Sequence, residues 1–419
     1  MIVRPFLSRL RASREGNILA LTAFGLTVLV GGAALATDTA QWYLWKRQLQ
    51  QAVDAGARAA VLSEQLGNDY NAAATREVGR NGVSTSDVKI ELISNPPTSG
   101  AYTADANAIE VQATTSQKLP FSGLFLSMAP TVRARAVATV ASDGDYCVIA
   151  LSPDGVGINT IGSAQVNLGC GAAANSNIAT AIDLNGSSWL DTPNVHAVGG
   201  IDASSASIPS GAVLQPYGLP VTDPIAARNL TVPTTPATCT ANNLNVAPST
   251  TTTLDPGRYC NGLTLQGTVT LNPGVYIMDK GTFTVNSQAH VTGEGVTIIL
   301  TGDDPKNVAT VKLVGGADLD LRAPTAVEDP TWKNILFFQD PIGSTSESNI
   351  AGGSTLQLDG IVYLPGGDLT FTGNSGQHAD CLLMVANQIS FSGTTSLDNK
   401  CTSDYSDLDM SARVVRVVE

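Results

Sequence analysis

The sequence predicts a mainly β protein behind a long N-terminal helix: a transmembrane and amphipathic helix, a small α/β unit, then a disulfide-stapled β-solenoid, or β-helix. Three observations carry this expectation. An uncharged apolar run from Gly16 to Thr37 passes into an amphipathic pattern with no proline to stop it. Short apolar alternations punctuated by Gly and Asn fill most of the remainder, in a chain with 40 glycines and only 14% charged residues. Related strand segments recur at steps of about 20 to 30 residues, the signature of architectures whose repeats bury their apolar edges by stacking on one another.

Residues 1–15 form a basic stub, with Arg4, Arg9, Arg11 and Arg14 against a single Glu15. The apolar run after it is about 22 residues, long enough as a helix to cross a hydrocarbon core of ~30 Å. Gly16, Asn17, Leu21, Phe24, Gly31 and Gly32 lie within it, and Trp42, Tyr43 and Trp45 come next, where amphipathic rings favour the headgroup level. The basic lead and the aromatic cluster place the N-terminus in the cytoplasm and the rest of the chain outside. The alternative is a secreted adhesin released after Ala36: Ala34-Leu35-Ala36 is an A-x-A cleavage site. Against cleavage, the apolar core exceeds the 7–15 residues usual for a signal peptide. A stripe at helical spacing also continues beyond it through Trp42, Trp45, Leu49, Ala52, Val53, Gly56 and Ala60. Its small residues suit packing against a partner helix. The helix is expected over 16–65.

Residues 66–141 read as the small α/β unit, because "SDVKIELIS", "NAIEVQATT" and "VRARAVATV" alternate in the period of half-buried strands and "NPPTSG" is a turn. Residues 142–230 form a first β block, and the Thr/Pro-rich 231–250 an extended loop. The second β block and a C-terminal strand occupy 251–419. There "LTLQGTVTL" at Leu263, "FTVNSQAHV" at Phe283, "VKLVGGADL" at Val311, "LTFTGNSGQ" at Leu369 and "ISFSGTTSL" at Ile389 share one plan. "DPGRY" at Asp255 and "NPGVY" at Asn272 predict type II turns, with Gly supplying the positive φ. A β-sandwich is the structural rival.

The six cysteines all lie beyond Tyr146. They read as sequential pairs, Cys147 with Cys170, Cys239 with Cys260 and Cys381 with Cys401, although sequence alone leaves the connectivity open. An even count beyond a membrane segment favours disulfides in an oxidising compartment over buried thiols. No C-x-x-C occurs and His196, His290 and His378 are scattered, so no metal set is expected. A net charge of -13, with no Lys/Arg run outside the N-terminal Arg cluster, argues against a nucleic-acid partner.

The Arg-rich lead, Gly16-Asn17, the apolar helix with Gly31-Gly32, the aromatic cluster and "RQLQQAVDAGARAAVL" resemble the N-terminal region of TadE/TadG-type Flp pilus-assembly proteins, over roughly the first 65 residues. "LQQAVDAGARAA" is the most specific piece. "LPFSGLF" and "VRARAVATV" are similar to the segment beyond the anchor in that family. "LNPGVYIM", "GVTIILTG", "NILFFQD" and "GIVYLPGGDLTFTG" resemble the glycine-rich β-helix region appended to some TadG-like members. One departure matters: type IV pilins carry Glu at the fifth mature position, and cleavage after Gly16 would put Leu21 there. The resemblance therefore implies an anchored accessory protein rather than a major pilin. It implies a single pass through the bacterial inner membrane, with the C-terminal part periplasmic or extracellular. Its partners would be other pilus-assembly proteins or pilins, or a surface or polysaccharide.

A carbohydrate-active β-helix enzyme is the alternative, and it requires clustered carboxylates on one face of adjacent coils. The candidates are Asp303-Asp304, Asp318 with Asp320, and His378 with Asp380. Each reads as a solvated turn, strand face or loop, with no G-x-S-x-G, H-E-x-x-H or P-loop beside it. No catalytic residue, metal or cofactor is expected.

Overall fold

The computed structural model describes residues 16–81, 88–125, 127–204, 207–343, 346–352, 355–373, 376–379, 381–393, 396–399, 405 and 407–419. It is mainly β, with a long N-terminal helix and two compact units, Met1–Ala141 with Val415–Glu419, and Ser142–Val414.

In the first unit, helix α1 runs unbroken over Gly16–Gln65. It ends where Gly67 takes a φ of 71° and the Asn68 N–H reaches back to the Ser63 carbonyl at 2.8 Å, which satisfies a carbonyl the helix leaves open. A second helix, α2 (Tyr70–Asn81), begins at once. Sequence reasoning missed it, though its signal is present: the Asp69 carboxylate accepts the Asn71 and Ala72 N–H groups at 2.9 and 3.2 Å, an N-cap ahead of an Ala-rich segment. Strands β1 (Val88–Ser94), β2 (Ile109–Ser116) and β3 (Thr131–Asp143) pair antiparallel in sequence order. Ile109, Val111 and Ala113 alternate with Val132, Ala134, Ala136 and Ala138 on the face that buries α1 and α2. The sheet's fourth strand is Ala412–Val417, beside β3. This corrects its expected place at the end of the second β block. The Val137 N–H donates to the Glu419 carbonyl at 2.8 Å, and Val418 N–H to the Val137 carbonyl at 2.8 Å.

The second unit is built from parallel ladders. Strand Gly274–Asp279 pairs with Val296–Thr301, that with Ile335–Gln339, and that with the middle of Thr355–Gly373. Each such step runs about three strands along the chain. The repeated segments lie side by side in register: Leu263 opposite Phe283 opposite Val311, and Leu369 opposite Ile389. Between them stands a strand that the repeat pattern does not reveal, Glu347–Gly352. It is hidden because Ser348, buried, sits where the other repeats carry an apolar residue, and its Oγ accepts the Val311 N–H at 3.1 Å. Columns of like residues result, as in Leu313–Ile350–Phe371–Phe391, where the last two rings stack at 5.5 Å. Each fully buried side chain of this size contributes about 1.5–3 kcal/mol.

The ladder order is not the chain order. Tyr146–Ala150, the first strand of the unit, pairs on one side with Gly171–Ala174 and on the other with Leu382–Gly393. The chain therefore starts mid-ladder, winds outward to Val213–Gln215, and resumes at the far end with Ala241–Val246. That last strand falls inside the stretch expected to be loop. The connection, residues 216–240, lies across the outer side of the ladder. Asn175 exchanges two hydrogen bonds with the Val221 backbone at 2.8 and 2.9 Å, Tyr363 donates to Asp223 at 2.8 Å, and Arg258 donates to the Pro236 and Pro233 carbonyls at 2.8 and 3.1 Å. This explains why strands such as Val296–Thr301 and Ile335–Gln339 are buried on both faces.

Cys147–Cys170 and Cys239–Cys260 are disulfides. Cys381 is also disulfide-bonded, and Cys401, the partner its sequence position suggests, lies outside the described residues. Of the two expected type II turns, only Gly274 has a positive φ, 135°. Gly257 is required for a different reason: a Cβ there would stand 2.3 Å from the Thr240 hydroxyl as the connection arrives. Both motifs instead share a tyrosine that closes the corner, Tyr259 OH donating to the Asp255 carbonyl at 2.7 Å and Tyr276 OH to the Asn272 carbonyl at 2.8 Å.

Candidate functional site

Helix α1 has two halves with opposite surroundings. Over the first, Ile18, Leu21, Phe24, Leu26, Val28, Leu29, Val30 and Leu35 are exposed, and only 6% of the most apolar window is buried by the chain itself. Among the described residues, one helix is long and apolar enough to cross a membrane, and this is it. Its hydroxyls need no outside partner: Thr22, Thr27 and Thr37 each donate to the carbonyl four residues back, at 2.6, 2.5 and 2.9 Å. An apolar solvent demands that arrangement, because an unpaired hydroxyl there costs on the order of several kcal/mol. Gly16 and Asn17 are helical, and Gly31 and Gly32 have open space around them. The basic residues Arg4, Arg9, Arg11 and Arg14 lie outside the described residues.

The second half is covered by its own unit. Leu49, Ala52, Val53, Gly56 and Ala60 are buried against α2, β2 and β3. The stripe is thus occupied within the chain and is not free for a partner helix; a Cβ on Gly56 would stand 2.5 Å from Val78 Cγ2. Trp45 is 6% exposed, whereas Trp42 and Tyr43 remain about half exposed. The change of surroundings falls at Asp38, itself buried, whose carboxylate accepts the Phe121 and Ser122 N–H groups at 3.0 and 2.6 Å.

On the opposite face of the small sheet, Glu110 has no exposed side-chain surface and pairs with Arg135, which also bonds Glu419 at 2.7 Å. Burial raises the Glu110 pKa, but hydrogen bonds from the Thr98 hydroxyl and N–H, Gln112 and Arg135 outweigh it and hold the carboxyl at about 2. The group is saturated with donors, which marks it as structural.

Among the described residues, the candidate carboxylates of the β unit do not converge. Asp303 bonds Lys280 at 2.5 Å and Asn307, both of which lower its pKa, while Asp304 accepts the Lys306 N–H in a turn. Asp318 pairs with His290 at 2.7 Å across adjacent strands, a contact the sequence did not suggest because the partners are 28 residues apart. Asp320 is exposed two positions along, opposite Thr292 and Gln357. His378 stands opposite Gln357 in the ladder, and its expected companion Asp380 lies outside the described residues. Among the described residues no group of three or more His, Cys, Asp or Glu is placed to hold a metal ion.

A cavity of about 360 Å³ lies beneath the connection, lined by Ile225, Asn229, Leu230, Phe338, Pro341 and Tyr363. Its lining is apolar apart from Asn229, Thr231 and the Tyr363 hydroxyl and brings no pair of carboxylates together.

No curated protein and no solved structure matches the chain. A family model does match, over residues 16–74, which take in α1, the turn after it and the first residues of α2. The apolar exposed half and the buried half of α1 both fall inside that match. Residues 16–74 are thus similar to the Tad model of putative Flp pilus-assembly TadE/G-like proteins.

Proposed function

We propose that the chain is a non-enzymatic, membrane-anchored component of Tad-type pilus assembly or surface attachment. The observation that carries this is the coincidence of the TadE/G-like match with a helix whose first half is apolar and uncovered and whose second half is sealed into its own unit. In this reading residues 16–37 make a single pass through the inner membrane, the basic stub stays in the cytoplasm, and the two units lie outside. The disulfides suit an oxidising compartment. The parallel ladders form a β-solenoid, capped along one side by residues 216–240, whose remaining side faces pilus components or a surface. A broad rigid side surface can bind without a pocket.

A reporter enzyme active only outside the cytoplasm, fused after Glu419, is expected to be active, and N-terminal sequencing is expected to find the apolar run retained. Activity confined to the cytoplasm, or a mature chain beginning at Thr37, would overturn the anchor. Deleting the gene should impair pilus display or attachment, while Asp303→Ala and Asp320→Ala should leave both intact and the protein without polysaccharide-cleaving activity. A well-folded but biologically dead Asp→Ala variant would instead favour the carbohydrate-active reading.

A further inference from the structure

Between β2 and β3 the chain makes a loop, "QKLPFSGLFLSMAP", that leaves large apolar side chains uncovered. Phe125 is 88% exposed, Met128 82% and Leu124 77%, with Phe121 also exposed. Outside α1 such side chains elsewhere are mostly scattered singly, as Val327 is, and a single one needs no explanation. Four within eight positions do. The loop contains no acidic residue, and Lys118 at its start is exposed.

Its position says what covers it. The Phe121 and Ser122 N–H groups are held by Asp38, the first charged residue after the uncharged run of α1. At about 1.5 Å rise per residue, Asp38 is less than one turn beyond Leu35, the last large exposed apolar residue of that run. The short turn Ser122–Leu124 then carries Leu124 and Phe125 outward. Trp42 and Tyr43, half exposed, lie one turn further along the helix, at the level where amphipathic rings meet headgroups.

We infer that residues 119–125 with Ser127 and Met128 form a second membrane contact, inserting Leu124, Phe125 and Met128 into the interface beside the anchor helix. This rests on the reading of α1 as the anchor. The occupant is a lipid surface: the apolar side chains meet acyl chains, and Lys118 meets lipid phosphates. A lone helix lets the attached unit swivel; a second contact, fixed to the helix through Asp38, holds the unit in one orientation against the bilayer.

The test uses the full chain in vesicles of phosphatidylethanolamine and phosphatidylglycerol, doped with a phospholipid that bears a photoactivatable diazirine near its acyl carbonyls. After irradiation, trypsin separates the anchor peptide (Glu15–Lys46), the loop peptide (Leu119–Arg133) and a control peptide from the β unit containing Val327 (Ala323–Lys333). Lipid adducts are expected on the first two and not on the third. Leu124→Glu with Phe125→Glu should lower loop labelling about tenfold or more, the factor that corresponds to removing one buried aromatic side chain, and leave anchor labelling unchanged. Label on the anchor alone, or loop label no greater than the control or insensitive to the glutamates, overturns the loop contact while the anchor stands. Label on neither overturns both.

Discussion

Gly56 decides how tightly the two helices of the TadE/G-like segment close on each other. A Cβ there would lie 2.5 Å from Val78 Cγ2 and 3.3 Å from the Ala74 carbonyl oxygen on α2. Val78 cannot step aside easily, because a β-branched side chain in a helix has essentially one χ1 rotamer, and the carbonyl behind it is backbone. Gly56→Ala gains about 1 kcal/mol of helix propensity and loses about 1–3 kcal/mol to overpacking, so it should come out neutral to mildly destabilising. Gly56→Leu adds volume with no further gain and should cost about 3 kcal/mol or more. In Gly56→Ala with Val78→Ala the clash disappears, and the two changes should couple favourably by about 1–2 kcal/mol. Hydrogen exchange on the full chain in detergent reads this directly at the α2 amides of Ala74–Val78, each ~1.4 kcal/mol of lost local stability speeding exchange tenfold. Unchanged α2 protection in Gly56→Leu, or strict additivity in the double variant, would show that α1 and α2 do not pack as described.

Glu110→Gln should destabilise the first unit at neutral pH by on the order of 2–3 kcal/mol, since the depressed Glu110 pKa adds stability that is complete above the ordinary carboxylate range and lost as pH falls toward about 2. Urea unfolding read at the β2 amides should therefore show wild type and variant converging as the pH is lowered from about 5 to 2; a gap independent of pH would refute the assignment. Replacing Cys239 and Cys260 with Ser opens a loop of sequence separation 21, which the chain-entropy relation values at about 3 kcal/mol. Non-reducing peptide maps of the wild type should show those two peptides joined, and free thiols there would count against the pairing.

Local chemistry made much of this protein legible. An uncharged run with a basic lead can be read as a membrane-crossing helix because lipid solvation acts on each residue in turn. Alternation revealed β1, β2 and β3 because the side-chain period of a strand is fixed at two. The two described disulfides join the cysteines nearest in sequence, since one step of the parallel ladder returns the chain beside itself after about twenty residues.

Local chemistry could not fix which edge meets which. Every strand of the β unit has the same two hydrogen-bonding edges, so nothing in Tyr146–Ala150 announces that it will join Leu382–Gly393 as well as Gly171–Ala174. That choice is made by closing open edges across the whole unit. The same holds for Ala412–Val417, a short β-prone segment whose place beside β3 depends on an edge that β3 leaves open. Burial is likewise a tertiary decision. The stripe from Leu49 to Ala60 signals an apolar partner, and only the folded chain shows that α2 and the sheet already supply it. Trp45 and Trp42, three residues apart and alike in sequence, part company because the folded chain covers one and leaves the other about half exposed.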